Sequence, residues 1–146
     1  MRWHIITVGK PKLAYARLGA EEYLGRIQPM ARVTMMHVKA SNTSTESVAL
    51  IERSKGMFRI VLDERGDRIN SRQLASRISD WEMQARSQVA LLIGGADGHA
   101  DALRAAADWT WSLSPLTIQH ELALVVALEQ IYRAYTIKAG LPYHRD

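Results

Sequence analysis

Val89-Ala90-Leu91-Leu92-Ile93-Gly94-Gly95-Ala96-Asp97-Gly98 is the stretch that decides the fold. Five apolar residues without a polar interruption are what a strand needs when both of its faces are covered. A strand on a half-open sheet would alternate instead. The glycines that follow strip the strand terminus of side chains, so another group can approach the main chain. The segment reads as a central strand opening into a glycine loop.

Outward from this strand, β and α patterns alternate along the whole chain. Trp3–Val8, Val33–Val38 and Met57–Leu62 read as strands, the last closed by a turn at Asp63-Glu64-Arg65-Gly66-Asp67. A helix over Leu13–Ile27 keeps Leu13, Ala16, Ala20, Tyr23, Leu24 and Ile27 on one side. A second opens at Thr45 and runs to Arg53; a third, over Ser71–Gln84, carries Leu74, Ala75, Ile78 and Trp81. Downstream come a helix over Ala100–Ala107, a strand over Trp109–Leu113 and a long helix over Glu121–Ala139. No linker, repeat or low-complexity tract interrupts the order, so one domain over residues 1–146 is expected. The alternation specifies an α/β fold: a Rossmann-like, parallel-rich sheet with helices on both faces.

Composition narrows the function classes. Hydrophobic residues make up 47% and charged residues 23%, as in an ordinary soluble globule. With no cysteine, a disulfide, a thiolate nucleophile and a cysteine-ligated zinc site are excluded. The five histidines (His4, His37, His99, His120 and His144) show no paired spacing, so no metal is expected, and His4 and His37 read as structural. The N-terminal run has neither a cleavage site nor membrane length, which predicts a cytoplasmic protein with no membrane partner. Nineteen Lys and Arg against fifteen Asp and Glu give +4, with arginines in the majority, so a nucleic-acid partner is permitted without being required.

In open α/β sheets, ligands bind beyond the carboxyl ends of the strands. Three of those ends stand out: Leu62-Asp63, then Gly94-Gly95-Ala96-Asp97-Gly98, then Leu113-Ser114-Pro115-Leu116-Thr117. Converging, they would build a pocket mainly of backbone, suited to an adenine or ribose edge. The glycine loop does not fit G-x-G-x-x-G and no P-loop follows a strand, which argues against a nicotinamide or nucleoside-triphosphate site.

The long helix is apolar nearly all round, with Leu122, Leu124, Val125, Val126, Leu128, Ile131, Tyr132, Tyr135 and Ile137 distributed about its axis. Such a helix needs cover on two sides. A homodimer is therefore expected, with Val125 and Ile131 turned to the partner and Tyr132 and Tyr135 packed in the interface. Arg133 either pairs with Glu129 at i, i+4 or reaches a ligand carboxylate or phosphate. The tail Pro142-Tyr143-His144-Arg145-Asp146 carries groups fitted to complete a polar site.

Taken together, Leu-Asp-x-x-Gly at 62–66, Leu91 to Gly98, Trp111-Ser112-Leu113-Ser114-Pro115-Leu116-Thr117, Glu129-Gln130-Ile131-Tyr132-Arg133-Ala134 and Pro142-Tyr143-His144-Arg145 carry a resemblance. The chain resembles, over essentially its whole length, the ribosomal large-subunit pseudouridine N3-methyltransferases, minimal members of the SPOUT class. That resemblance implies a homodimer with a C-terminal trefoil knot, and S-adenosylmethionine as cofactor. It also implies a pseudouridine of 23S rRNA in the assembled 70S ribosome as the methylated base. By motif position, Leu62, Gly95 and the run Ser114, Pro115, Leu116, Thr117, Ile118 and Gln119 match the family's cofactor contacts, with Gly94 beside them. In the tail, His144 is the expected proton acceptor from N3. Arg145 would steady a developing oxygen charge or hold a phosphate, and Tyr143 would stack on a base.

Two positions depart from the family's usual Pro-His-x-Leu-x-Arg: Gln119 stands for the proline and Leu124 for the arginine. Ala96-Asp97 likewise replaces the common Pro-Glu. The missing arginine is what favours a rival expectation, a non-catalytic RNA- or ribosome-binding module that keeps a relic pocket.

Overall fold

In a computed structural model, which describes residues 1–145, the elements follow the order β1 (Arg2–Val8), α1 (Ala14–Ile27), β2 (Arg32–Val38), α2 (Thr43–Arg53), β3 (Phe58–Arg68), α3 (Ser71–Met83), β4 (Gln88–Ile93), α4 (Asp101–Ala105), β5 (Trp109–Ser112) and α5 (His120–Lys138). The five strands form one sheet in the order β2-β1-β4-β3-β5, all pairings parallel. β4 sits between β1 and β3, and Val89 to Ile93 are all buried, as an uninterrupted apolar run requires. One face of the sheet packs on α1, α3 and α5; the other is covered by Leu50 of α2 and Leu103 of α4. The first face holds the larger core, where Trp3, Trp81, Trp109 and Trp111 interlock.

The turn expected at Asp63–Asp67 is instead a continuation of β3. The strand pairs with β5 at Leu62, breaks register, and pairs again at Asp67 and Arg68. This is a bulge, which bends a strand without ending it. Gly66 makes it feasible: a Cβ there would sit 2.5 Å from the carbonyl carbon and oxygen of Thr110. Asp67 is anchored by the indole of Trp109, whose Nε1 donates to it at 2.9 Å.

Helix boundaries follow local chemistry. Asn42 rather than Thr45 caps α2, accepting from the Thr45 amide at 2.8 Å. At α3, Asn70 and Gln73 form a reciprocal capping box. α1 has no side-chain cap of its own; the amides of Lys12 and Leu13 donate to the Glu121 carboxylate at 2.6 and 2.9 Å. A negative charge at a helix start is favourable, so the first turn of α5 secures the first turn of α1. α5 ends in a reversal. Gly140 has φ +70°, its amide donates to Ile137, and the Leu141 amide donates to Thr136 at 2.9 Å. This pairing closes a helix with a left-handed residue, and it turns the tail back along α5.

Two expectations about α5 are corrected. Ile131 is fully buried in the chain's own core, and Tyr135 is buried and accepts a hydrogen bond from Trp3 Nε1 at 2.9 Å. These two side chains cover the sheet rather than a partner, while Val125 is half-buried where it rests on Gly19 of α1. Exposed large apolar side chains include Leu13 at the start of α1, Tyr15 and Leu18 on α1, and Leu122 on α5, with Val48, Met83, Leu116 and Leu141 exposed elsewhere.

Candidate active site

The three strand ends do converge. Leu62, Ile93 to His99, and Leu113 to His120 (Pro115 excepted) line a cavity of about 550 Å³ at the carboxyl edge of the sheet. That is the size range of a small-molecule site. Of the residues expected to hold a cofactor, Leu62, Gly94, Gly95, Ser114, Leu116, Thr117, Ile118 and Gln119 line it; Pro115 does not. Ser114 Oγ accepts from the Leu116 amide at 3.0 Å, and that turn carries Pro115 outward.

Several lining groups gave no sequence signal. His99 lies between the ends of β3 and β4, and its Nε2 donates to the Leu62 carbonyl at 3.0 Å. Gly94 is there because the imidazole is: a Cβ at that position would meet His99 Cε1 at 2.8 Å. Arg104 reaches back from α4, donating to the His99 carbonyl at 2.9 Å and pairing with Asp63 at 3.4 Å. Thr117 donates to Glu64 at 2.7 Å, which ties the loop before α5 to the bulge of β3. The bonds of His99 to Leu62, Arg104 to Asp63 and Thr117 to Glu64 join residues 37, 41 and 53 positions apart in the chain.

The expected catalytic tail is not at this cavity. Tyr143 donates to Glu129 Oε1 at 3.0 Å, and Glu129 also takes Arg133 Nη2 at 2.6 Å. Arg133 therefore makes the i, i+4 pair, and its guanidinium covers the Tyr143 ring at 4.7 Å while Tyr132 meets that ring edge-on. Arg133 Nη1 lies 3.2 Å from His144 Nδ1. Burial, then the bond to Glu129, pushes the Tyr143 phenol above its ordinary range, so it stays a donor. Arg145 is exposed, and Asp146 lies outside the described residues. Glu129 stands nine residues beyond His120, roughly 14 Å along the helix axis. The tail and the cavity of one chain are thus held apart.

A family model described as "Predicted SPOUT methyltransferase" matches residues 1–144. The chain belongs to the SPOUT methyltransferase family. It is 46% identical over 145 residues to the Ribosomal RNA large subunit methyltransferase H of Thermus thermophilus, covering 99% of each chain. Among solved structures, a Bordetella pertussis protein described as "Probable Methyltransferase" superposes with a TM-score of 0.59 at 12% identity, over 92% of this chain and 96% of that one. The Legionella pneumophila protein Lpg2936, solved with its bound cofactor SAM, gives 0.52 at 13% identity, over 92% of this chain and 66% of that one. At those identities the two structures show a shared fold and nothing more.

Within the SPOUT frame, both departures from the usual motif have a structural reason. Gln119 is the N-cap of α5, its side-chain oxygen accepting from the Glu121 and Leu122 amides at 2.9 and 3.0 Å. A proline could not do this. Leu124 is 2% exposed in the core of its own chain, a place hostile to an unpaired guanidinium. The feature behind the rival, non-catalytic reading is therefore a packing choice.

Proposed function

We propose that this chain is an S-adenosylmethionine-dependent methyltransferase of large-subunit ribosomal RNA. It acts in the cytoplasm as a one-domain homodimer on N3 of a pseudouridine in 23S rRNA, within the assembled 70S ribosome. The observation that carries this reading is a cavity walled by three strand ends, in a chain aligned end to end with a relative named for methylating large-subunit ribosomal RNA.

The residues at the cavity fit the cofactor. Main-chain groups of Leu62, Gly94, Gly95, Ser114 and the run 116–119 suit an adenosine edge, and the side-chain-free loop admits close approach. S-adenosylmethionine would supply a methyl group on a sulfonium, an electrophile needing no metal. A C-terminal trefoil knot follows from the same family reading. It fits the path of residues 113–119, which lead from the edge strand β5 across the ends of β3 and β4 to the start of α5 beside α1.

Separation of tail from cavity within one chain supports a shared site, in which Tyr143, His144 and Arg145 of one protomer close the cavity of its twin. The exposed strip of Leu13, Tyr15, Leu18 and Leu122 is the surface for that pairing. N3 of the base lies between two carbonyl groups, and its proton must leave as the methyl group arrives. A guanidinium has no acceptor, so His144 Nδ1 takes the hydrogen bond from Arg133 and the ring's proton sits on Nε2. His144 is thus set as a donor to one flanking carbonyl, with Arg145 facing the other, and the N3 proton passes to water. This proposed donor role is an alternative to the proton-acceptor role expected for His144.

Tritiated methyl transfer to 70S ribosomes, compared with free subunits, tests the reading. Label in 23S rRNA of the 70S particle supports it; none in either substrate defeats it.

A further inference from the structure

His99 lines the cavity, and the proposed function leaves its imidazole without a role. Its Nε2 donates to the Leu62 carbonyl at 3.0 Å, so in the neutral ring Nδ1 holds the lone pair. That Nδ1 is buried and has no hydrogen-bond partner among the described residues. Lying against Gly94, the ring fills the space that any side chain there would need. The backbone of His99 and of the residue after it is also tied down: Arg104 Nη1 donates to the His99 carbonyl at 2.9 Å, and the Ala100 amide donates to Ser47 Oγ at 3.0 Å.

We propose that His99 is a positioning residue of the cofactor cleft: its neutral imidazole, wedged between Leu62 and Gly94, sets the spacing of the two strand ends that must embrace the cofactor. The proposal rests on the cofactor reading above. Neutrality is part of the device. Protonation would put a charge and a second N–H where water does not reach, and the glycine loop would have to open to solvate them. Burial already pushes the ring's proton affinity below the ordinary histidine value; the Leu62 bond and the charge of Asp63 act against that shift, Arg104 adds to it, and Glu46 opposes it weakly. Asp63 on β3, Arg104 on α4 and Glu46 on α2 are the charged groups that face it.

Calorimetric titration with S-adenosylmethionine, stepped down from about pH 7.5 until the His99 imidazole resonance shows it protonated in the free protein, tests this. The wild-type protein should bind without pH dependence near neutrality and weaken below the pH at which His99 protonates, by at most about tenfold per pH unit, as one excluded proton requires. H99Q keeps an N–H for the Leu62 carbonyl but cannot titrate; it should bind within about threefold of wild type at neutral pH and show a flat profile. H99A, lacking both wedge and donor, should bind roughly tenfold more weakly throughout, with its fold checked by circular dichroism. H120Q removes the other imidazole at the cavity and should keep the acid slope. A flat wild-type profile, an acid slope surviving in H99Q or lost in H120Q, or wild-type affinity in H99A would overturn the assignment to His99. No binding by the wild-type protein at any pH would instead overturn the cofactor reading, and this proposal with it.

Discussion

Arg133 donates to Nδ1 of His144 across 3.2 Å, and a guanidinium can do nothing else. Under the proposed shared site, that bond favours the imidazole as a donor over its use as a base. With its proton on Nε2, His144 offers an N–H, which glutamine imitates and alanine does not. In single-turnover methyl transfer to ribosomes, H144Q should fall by no more than about tenfold. H144A should lose about 10²–10³-fold, the usual worth of one oxyanion donor. Equal losses in both would return His144 to the role of base.

Glu129 should matter without touching substrate. It gathers Tyr143 and Arg133, so E129Q would loosen the tail while leaving the cavity intact. The expected result is a kcat reduced roughly tenfold, with an unchanged dissociation constant for S-adenosylmethionine. Should cofactor affinity fall in step with kcat, this cluster would be reaching the cofactor itself.

Gly66→Ala should destabilise the chain by about 1–3 kcal/mol in urea unfolding, since the added methyl group meets the Thr110 backbone rather than a movable side chain. An unchanged midpoint would mean that β3 and β5 part there easily.

Leu18 and Leu122, 59% and 40% exposed, flank the contact of Gly19 with Val125. The double variant L18E/L122E should remain folded, run as a monomer by light scattering and lose methyl transfer. A monomer that still methylates ribosomes would eliminate the shared site.

Acid should weaken the fold partly through His99. Its folded proton affinity is lowered, chiefly by burial, from an ordinary 6.5. The unfolded chain therefore binds more protons as pH falls below that value, and stability drops with acidification. Relative to H99Q, the wild-type protein should lose stability as pH descends from 6.5 through the folded value. A pH-independent gap between the two in chemical denaturation would contradict this.

The sheet and its central strand could be read from periodicity because burial on both faces leaves a local trace: an apolar run such as Val89–Ile93 is visible without knowing its neighbours. The three strand ends were legible for the same reason, since glycine and hydroxyl clusters punctuate the chain where they occur. The continuation of β3 was not. Asp63 to Asp67 has the composition of a turn, and it becomes strand only because β5 lies close enough to pair around Gly66. Likewise, the apolar girdle of α5 could not say which side its own chain would claim. Ile131 and Tyr135 went inward because α1, α3 and the sheet enclose that helix. His99 was only one more unpaired histidine until β3 supplied the Leu62 carbonyl, 37 residues distant.

The clasp of Glu121 on the amides of Lys12 and Leu13 joins the beginning of the molecule to its final helix. During synthesis, α1 emerges well before α5 and waits for that helix before its apolar side has a lasting lid. Such long-range dependence slows folding and leaves early segments sticky. A nascent chain halted before α5 should therefore be a client for chaperones rather than a smaller working enzyme.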